Sequence, residues 1–131
     1  MTNTPASPSR ALLWTGRILS ILPALLLTFS AAMKFVRPAG MAEGFTHLGW
    51  PVGLAVLLGV LEFGSTLLYV IPRTSILGAI LLTGYMGGAI ATHVRIGEPV
   101  YTHVLLGIMI WGGLYLREPR LRALMPLLSR E

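Results

Sequence analysis

The chain has 131 residues, of which 54% are apolar and only 11% charged, with a net charge of +5 and no cysteine. Soluble domains carry about 25% charged residues, and a domain of this size cannot bury so much apolar surface in its own core, so the composition excludes an ordinary soluble protein. Without cysteine, these residues support no disulfide, thiol or iron–sulfur chemistry.

The order of polar and apolar segments along the chain predicts one short tail followed by one membrane domain. Residues 1–10 are rich in proline, serine and threonine and predict a disordered N-terminal tail. Residues 11–131 contain four apolar segments, and a membrane-spanning helix needs about 17–25 residues. We therefore expect an all-α, four-helix transmembrane bundle with the lipid bilayer as its solvent, whose spans are residues 12–36, 52–71, 75–94 and 100–116.

The first apolar segment has a second interpretation. Arg10 and Arg17 precede an apolar run that ends near Ser30, Ala31 and Ala32, which is the order of features in a cleaved signal peptide. The run is at the long end for such a signal, which favours a retained transmembrane helix.

Two connections predict short helices at the membrane surface. Met41, Phe45 and Leu48 recur at helical spacing in the connection between the first two spans, as in an amphipathic interfacial helix. A second interfacial segment follows Arg117, where Pro119 suits a first helical turn.

The distribution of basic residues predicts the orientation of the chain. Lysine and arginine are enriched in cytoplasmic loops. One side holds Arg10, Arg17, Arg73, Arg117, Arg120, Arg122 and Arg130, and the other holds Lys34, Arg37 and Arg95. We therefore expect both termini in the cytoplasm of a multi-pass protein. Because these basic residues flank apolar segments and form no separate basic face, nucleic-acid binding is disfavoured.

Small residues mark the third span as a packing element. Ala79, Thr83, Gly87 and Ala91 recur every four residues, and a second row contains Gly84, Gly88 and Thr92. Small residues at this spacing allow helix backbones to approach closely. The third span is therefore expected at the centre of the bundle or at the seam of a homodimer.

Glu62 is the main candidate for a functional residue. It lies at the midpoint of the second span, where a charged side chain costs about 2.5–3.5 kcal/mol by insertion scales. On a helical wheel it shares a face with small and polar residues, which predicts that it points into the bundle: Ala55, Gly59, Ser65, Thr66 and Tyr69. It is interpreted either as a proton acceptor or ligand contact in a cavity, or as a structural hydrogen-bond hub.

Two residues on other spans are candidate partners or ligand contacts. Lys34 ends the first span, about eight residues or about 12 Å in depth from Glu62, so it either extends to the interface or turns inward through a tilt or a bridging water. Tyr85 lies at mid-membrane beside the glycine rows and either packs there or donates to a ligand carbonyl.

Three histidines lie toward the outer face. His93 ends the third span and His103 opens the fourth, so the two are expected to be near neighbours, and His93 is a candidate site residue. With His47 they form a weak alternative as a transition-metal site. No tight spacing of ligands supports that alternative, and haem between two histidines at one membrane edge is disfavoured further.

Several stretches resemble the DoxX-like family of small bacterial membrane proteins. They are residues 30–35 (SAAMKF), 59–62 (GVLE), 71–99 (IPRTSILGAILLTGYMGGAIATHVRIGEP) and 114–120 (LYLREPR). Lys34, Glu62 and His93 lie within them. The resemblance covers about residues 12–126.

The resemblance implies a location in the bacterial inner membrane. It also implies a quinone-linked or redox and oxidative-stress accessory role with a redox protein as partner, but it supplies no catalytic residue. The alternatives are a non-enzymatic binder or transporter of a small amphiphile and a structural assembly partner without a ligand.

Overall fold

The computed structural model describes residues 9–128, which form helices and no strand. The helices are α1 (Arg10–Val36), α2 (Met41–Leu48), α3 (Ala55–Val70), α4 (Ser75–Arg95), α5 (Tyr101–Arg117) and α6 (Pro119–Leu124), with 3₁₀ turns at Val52–Leu54 and Pro72–Thr74. The expected all-α class is confirmed for these residues. Most of the predicted tail lies outside the described residues, whereas Ser9 caps α1 by accepting a hydrogen bond from the amide of Leu12 at 3.2 Å.

The four long helices pack in a closed cycle. Helix α1 lies between α3 and α5, and α4 completes the cycle by packing against the same two helices. The apolar core consists of residues from all four helices and from α6: Leu27, Tyr69, Ala79, Leu82, Met86, Leu106, Ile110, Leu114 and Leu121. Leu121 is buried against this core, so α6 is anchored to the ends of the long helices.

Glycines set the distance between neighbouring helices at two crossings. A Cβ atom at Gly113 of α5 would lie 2.5 Å from Ser20 Oγ of α1, and one at Gly16 would lie 2.8 Å from the Gly113 carbonyl oxygen. At the turn between α3 and α4, a Cβ atom at Gly78 would lie 2.2 Å from the Tyr69 amide nitrogen. Only residues without a side chain allow the backbones to meet this closely.

Apart from Ala79, which lies in the core, the small-residue rows of α4 are not at the centre of the structure. Thr83, Gly87 and Ala91 are exposed, and no atom beyond the neighbouring backbone of α4 lies within 4 Å of a Cβ position at Gly84, Gly87 or Gly88. Close packing of α4 instead involves Gly78, at the end of the helix near Tyr69. The expectation of a central position is wrong because periodicity identifies a face of small residues but not what that face contacts.

The outer surface of the helices has membrane character. Large apolar side chains are exposed along every long helix, including Leu25, Phe29, Leu57, Ile80 and Ile108. Among residues 9–128, three helical stretches are long and apolar enough to cross a membrane: Arg10–Val36, Val52–Val70 and Pro72–Arg95. The fourth expected span, α5, has only 17 residues, which is the lower limit for a crossing helix. Three candidate spans and association with a lipid bilayer therefore follow from the fold.

Helix α2 confirms the predicted short helix between the first two spans. It lies between Gly40 and Gly49, whose φ angles of 93° and 81° favour glycine. Phe45 is buried beneath it. Arg95 at the end of α4 donates to the carbonyl of Leu48 at 2.5 Å, so side-chain contacts hold α2 over the ends of the long helices.

The glycine crossings give the first testable prediction. Gly78→Ala places a methyl group against the Tyr69 backbone and should lower the free energy of unfolding by about 1–3 kcal/mol, the usual cost of overpacking. Gly87→Ala on the same helix meets open space and should be neutral or stabilising, since alanine favours helix by about 1 kcal/mol. Unfolding in detergent, followed by circular dichroism, compares the two variants. Equal stability of both would contradict the assigned crossing.

Candidate functional site

Glu62 lies inside the structure on the predicted face of α3. Its exposure is 1%, and the buried residues of α3 are the predicted set of Ala55, Gly59, Glu62, Ser65, Thr66 and Tyr69. The hydroxyl groups of Ser65 and Thr66 donate to carbonyls one turn earlier, at 2.6 and 2.7 Å. Because these two hydroxyl groups donate to backbone carbonyls within α3, they do not donate to the Glu62 carboxylate, whose partners come from other helices.

Lys34 forms a direct ion pair with Glu62. Its Nζ atom donates to Glu62 Oε2 at 2.7 Å and to Ser30 Oγ at 2.8 Å. The expected depth gap of about eight residues is wrong. Lys34 Cβ lies 3.2 Å from the Cβ position of Gly59, which is only about 4.5 Å along α3 from Glu62. The first turn of α3 lies beyond the level of Lys34, so Lys34 and Glu62 are closer along the helix axis than a count from the start of the span predicts.

Tyr85 joins the ion pair from α4. Its hydroxyl donates to Glu62 Oε2 at 3.2 Å, so one carboxylate oxygen accepts from both α1 and α4. The side chain of Glu62 is almost fully buried, and that of Lys34 is 15% exposed. A buried charge requires a partner of opposite charge, and the Lys34–Glu62–Tyr85 cluster meets this requirement.

The cluster lies at the wall of a cavity of about 640 Å³. Apolar side chains of α1, α2, α4 and α5 form most of the lining, with Phe45 and Trp50 covering it from the α2 side. Lys34, Glu62 and Tyr85 are the polar groups of one wall. Binding sites for small molecules combine such an apolar lining with a few polar groups that fix orientation.

His93 and His103 are near neighbours, as predicted, and both line the cavity. Their ring centroids are 4.5 Å apart. His93 Nδ1 lies 2.7 Å from the Ala89 carbonyl oxygen, an arrangement in which Nδ1 carries the proton and donates. Among the described residues, the buried Nδ1 atom of His103 has no hydrogen-bond partner. A buried polar atom of this kind is suited to a ligand.

His47 lies apart from the other two histidines in its contacts. Its Nε2 atom makes a short contact with Glu98 Oε1, which connects α2 to the loop before α5. Within residues 9–128, no group of three or more histidine, aspartate or glutamate side chains is placed to hold a metal ion. The weak alternative of a metal site at His47, His93 and His103 therefore gains no support from the geometry.

Two site residues were not identified from the sequence. Ser30 lies four residues before Lys34 on the same face of α1, a spacing that predicts contact between their side chains. Trp50 lines the cavity and donates from Nε1 to Thr92 Oγ1 at 3.3 Å. Its position depends on how α2 folds back over the helix ends, and no local pattern gives that information.

The arrangement places polar side chains at more than one part of an apolar cavity. Lys34 has three N–H groups and uses two of them on Ser30 and Glu62. His103 lies in the first turn of α5 and lines the cavity, and its buried Nδ1 atom has no hydrogen-bond partner among the described residues. An apolar molecule with a hydrogen-bond acceptor matches the free N–H group of Lys34.

Comparison with known proteins gives one family match. The model of the DoxX-like family matches residues 18–114, which include Lys34, Glu62, Tyr85 and both cavity histidines. This match confirms the resemblance identified from the sequence. No curated protein and no solved structure gave a significant match to the chain.

A double-mutant cycle tests the ion pair. Glu62→Gln should destabilise the protein because it leaves the Lys34 ammonium without a counter-charge, and Lys34→Met should do so because it leaves the carboxylate unpaired. The double variant should be more stable than the sum of the single effects predicts, by about 0.5–3 kcal/mol. Unfolding in detergent measures all four proteins. Additive effects would show that the two charges do not interact.

Proposed function

Because this chain belongs to the DoxX-like family, we propose that it is a multi-pass protein of the bacterial inner membrane that binds a quinone in the cavity beside Glu62. In this proposal it acts as an accessory to a redox system. The main support for this proposal is the Lys34–Glu62–Tyr85 cluster at the wall of a largely apolar cavity. In this cluster Glu62 Oε2 lies 2.7 Å from Lys34 Nζ and 3.2 Å from the Tyr85 hydroxyl.

The chemistry of a quinone fits the groups of this cavity. Its ring and tail are apolar, and its carbonyl oxygens accept hydrogen bonds. Lys34 has one N–H group left after its bonds to Ser30 and Glu62, and the apolar lining suits the ring. Reduction of a quinone to a quinol takes two electrons and two protons. The 131 residues contain no thiol, so a redox protein partner supplies the electrons, while the Lys34–Glu62 pair is the candidate route for protons.

A second candidate function is the binding or transport of a small amphiphile without redox chemistry. The same lining supports it, since apolar side chains dominate the cavity and any amphiphile with a carbonyl or similar acceptor meets the same donors. Extraction of the purified protein followed by mass spectrometry separates the two candidates by the molecule recovered.

A role in assembly rests on a different surface. Thr83, Gly87 and Ala91 form an exposed face of α4 that does not line the cavity, and small residues of this kind allow a second helix to approach closely. The proposed occupant is α4 of a second copy, in a homodimer whose seam lies away from the core.

The proposed topology has four spans with both termini in the cytoplasm. The excess of arginine at the end of the structure that carries Arg17, Arg73 and Arg117 supports this orientation. Helix α5 completes the fourth span. It packs against α1 and α4, so if both of these helices cross the membrane, α5 is expected to cross beside them.

Tryptophan fluorescence tests quinone binding. Trp50 lines the cavity, and a bound quinone should quench its emission. We expect saturable quenching in a variant that retains Trp50 as its one tryptophan (Trp14→Phe and Trp111→Phe). Adding Lys34→Met should weaken the apparent affinity by about tenfold, the usual effect of a hydrogen bond to a buried acceptor. Adding Tyr85→Phe should also weaken it, because Tyr85 holds the Glu62 carboxylate beside Lys34.

The matched control retains Trp14 in place of Trp50. Trp14 does not line the cavity, so partition of quinone into the detergent micelle should quench it weakly and without saturation. Equal quenching of Trp14 and Trp50, or affinity unchanged by both cavity substitutions, would contradict quinone binding at this site.

Reporter fusions test the topology. Fusions after residues near 44, 74, 97 and 131 should report outside, inside, outside and inside, because the basic residues favour the cytoplasmic side. Fusions of an enzyme active only in the periplasm and of one fluorescent only in the cytoplasm give paired readings at each position. An outside reading at the C-terminus would contradict the four-span topology.

A further inference from the structure

A second groove lies at the end of the helices opposite the Glu62 cavity. It has a volume of about 310 Å³ and is lined by residues of α1, α3 and α5. Arg17 and Arg117 are its charged residues, and Ser20 and Tyr69 are among its hydroxyl groups. The proposed quinone site uses none of these residues.

Buried hydroxyl groups hold the guanidinium of Arg117 in a fixed position. Arg117 Nε donates to Ser20 Oγ at 3.0 Å, and its guanidinium carbon lies 5.4 Å from the centre of the Tyr69 ring. Ser20 donates in turn to the Gly16 carbonyl at 2.8 Å. The Tyr69 hydroxyl lies 2.7 Å from the Ile110 carbonyl and 3.0 Å from Ser20 Oγ. Since Arg117 uses Nε for its contact with Ser20, its two terminal amino groups are available to a ligand.

The two arginines of the groove form no ion pair with a carboxylate among residues 9–128. Arg17 of α1 lines the same groove as Arg117. Its guanidinium carbon lies 5.2 Å from the centre of the Trp14 ring. Within residues 9–128 the ion pairs are Lys34–Glu62 and His47–Glu98, so no described carboxylate neutralises either arginine. Two cationic groups at the mouth of one groove favour an anion with several acceptor oxygens.

Apart from Thr28, the remainder of the groove is apolar and lies at the surface. Ile21, Leu25 and Val70 line it and are exposed on the surface that has membrane character. From Arg17 to Leu25 the groove follows α1 for about 12 Å, at about 1.5 Å per residue. A free inorganic anion would occupy only the charged end and would leave this apolar length uncovered.

We propose that this groove is a binding site for an anionic glycerophospholipid. The phosphate lies between Arg17 and Arg117, and an acyl chain follows Ile21, Leu25 and Val70. Arginine binds phosphate through paired N–H groups, and basic pockets between transmembrane helices bind anionic headgroups. The bound lipid connects α1, α3 and α5 at the end where Gly16 and Gly113 cross.

Native mass spectrometry of delipidated protein in a neutral detergent tests this site. The probes are dioleoylphosphatidylglycerol, dioleoylphosphatidylcholine and inorganic phosphate. We expect one retained phosphatidylglycerol per chain and a higher unfolding temperature with this lipid than with the other two probes. Arg17→Gln should weaken its apparent affinity by about fivefold, in keeping with the contribution of one basic residue near an anionic headgroup.

Arg73→Gln is the matched control, because Arg73 carries the same charge in the turn at the same end of the helices but does not line the groove. It should change the affinity by less than about twofold. Arg117→Gln removes the contact with Ser20, so circular dichroism is used to check that this variant folds. If it does not fold, the comparison of Arg17→Gln with Arg73→Gln decides the result.

Three outcomes overturn the proposal. Equal losses of affinity in Arg17→Gln and Arg73→Gln would indicate attraction by general surface charge. Equal retention of phosphatidylcholine would remove the requirement for net negative charge. Equal stabilisation by inorganic phosphate would assign the groove to a free anion. None of these results depends on whether a quinone binds beside Glu62.

Discussion

The ion pair between Lys34 and Glu62 lies among helices whose outer surfaces are apolar, so neither charge is stable there without the other. Because Glu62 Oε2 also accepts from Tyr85, the pair fixes the relative positions of α1, α3 and α4. The fourth long helix is attached by different means, through the close crossing of Gly16 and Gly113. The cavity lies between the long helices beside the ion pair, and residues of α2 line one side of it.

Both polar clusters of the protein follow one physical rule. Each places a charged group from a helix end against side-chain hydroxyl groups: Ser30 beside Lys34, and Ser20 with Tyr69 beside Arg117. The two clusters differ in charge balance. Lys34 has a carboxylate partner, so the Glu62 cavity is neutral and suits an uncharged ligand, whereas Arg17 and Arg117 leave a positive groove that suits an anion.

The sequence predicts helices and faces well but contacts between helices poorly. The helix bounds and the buried face of α3 follow from periodicity, which is a property of one segment at a time. The Lys34–Glu62 pair was left open because it depends on how far α3 extends past the end of α1. The small residues of α4 were recognised, yet their exposure depends on which helices surround α4. Ser20, Tyr69 and Arg117 are too far apart in sequence for any local pattern to connect them.

The attachment of α2 has a consequence for how the protein can vary. Its polar contacts, such as Arg95 with the Leu48 carbonyl, lie on the exposed side of the structure, and flanking glycines give its ends freedom to rotate. The core, by contrast, is built from the long helices and α6. Substitutions around α2 therefore change the lining of the cavity on its α2 side, while substitutions at the glycine crossings change the packing of the long helices. The shape of the cavity and the stability of the bundle can thus vary through separate sets of residues.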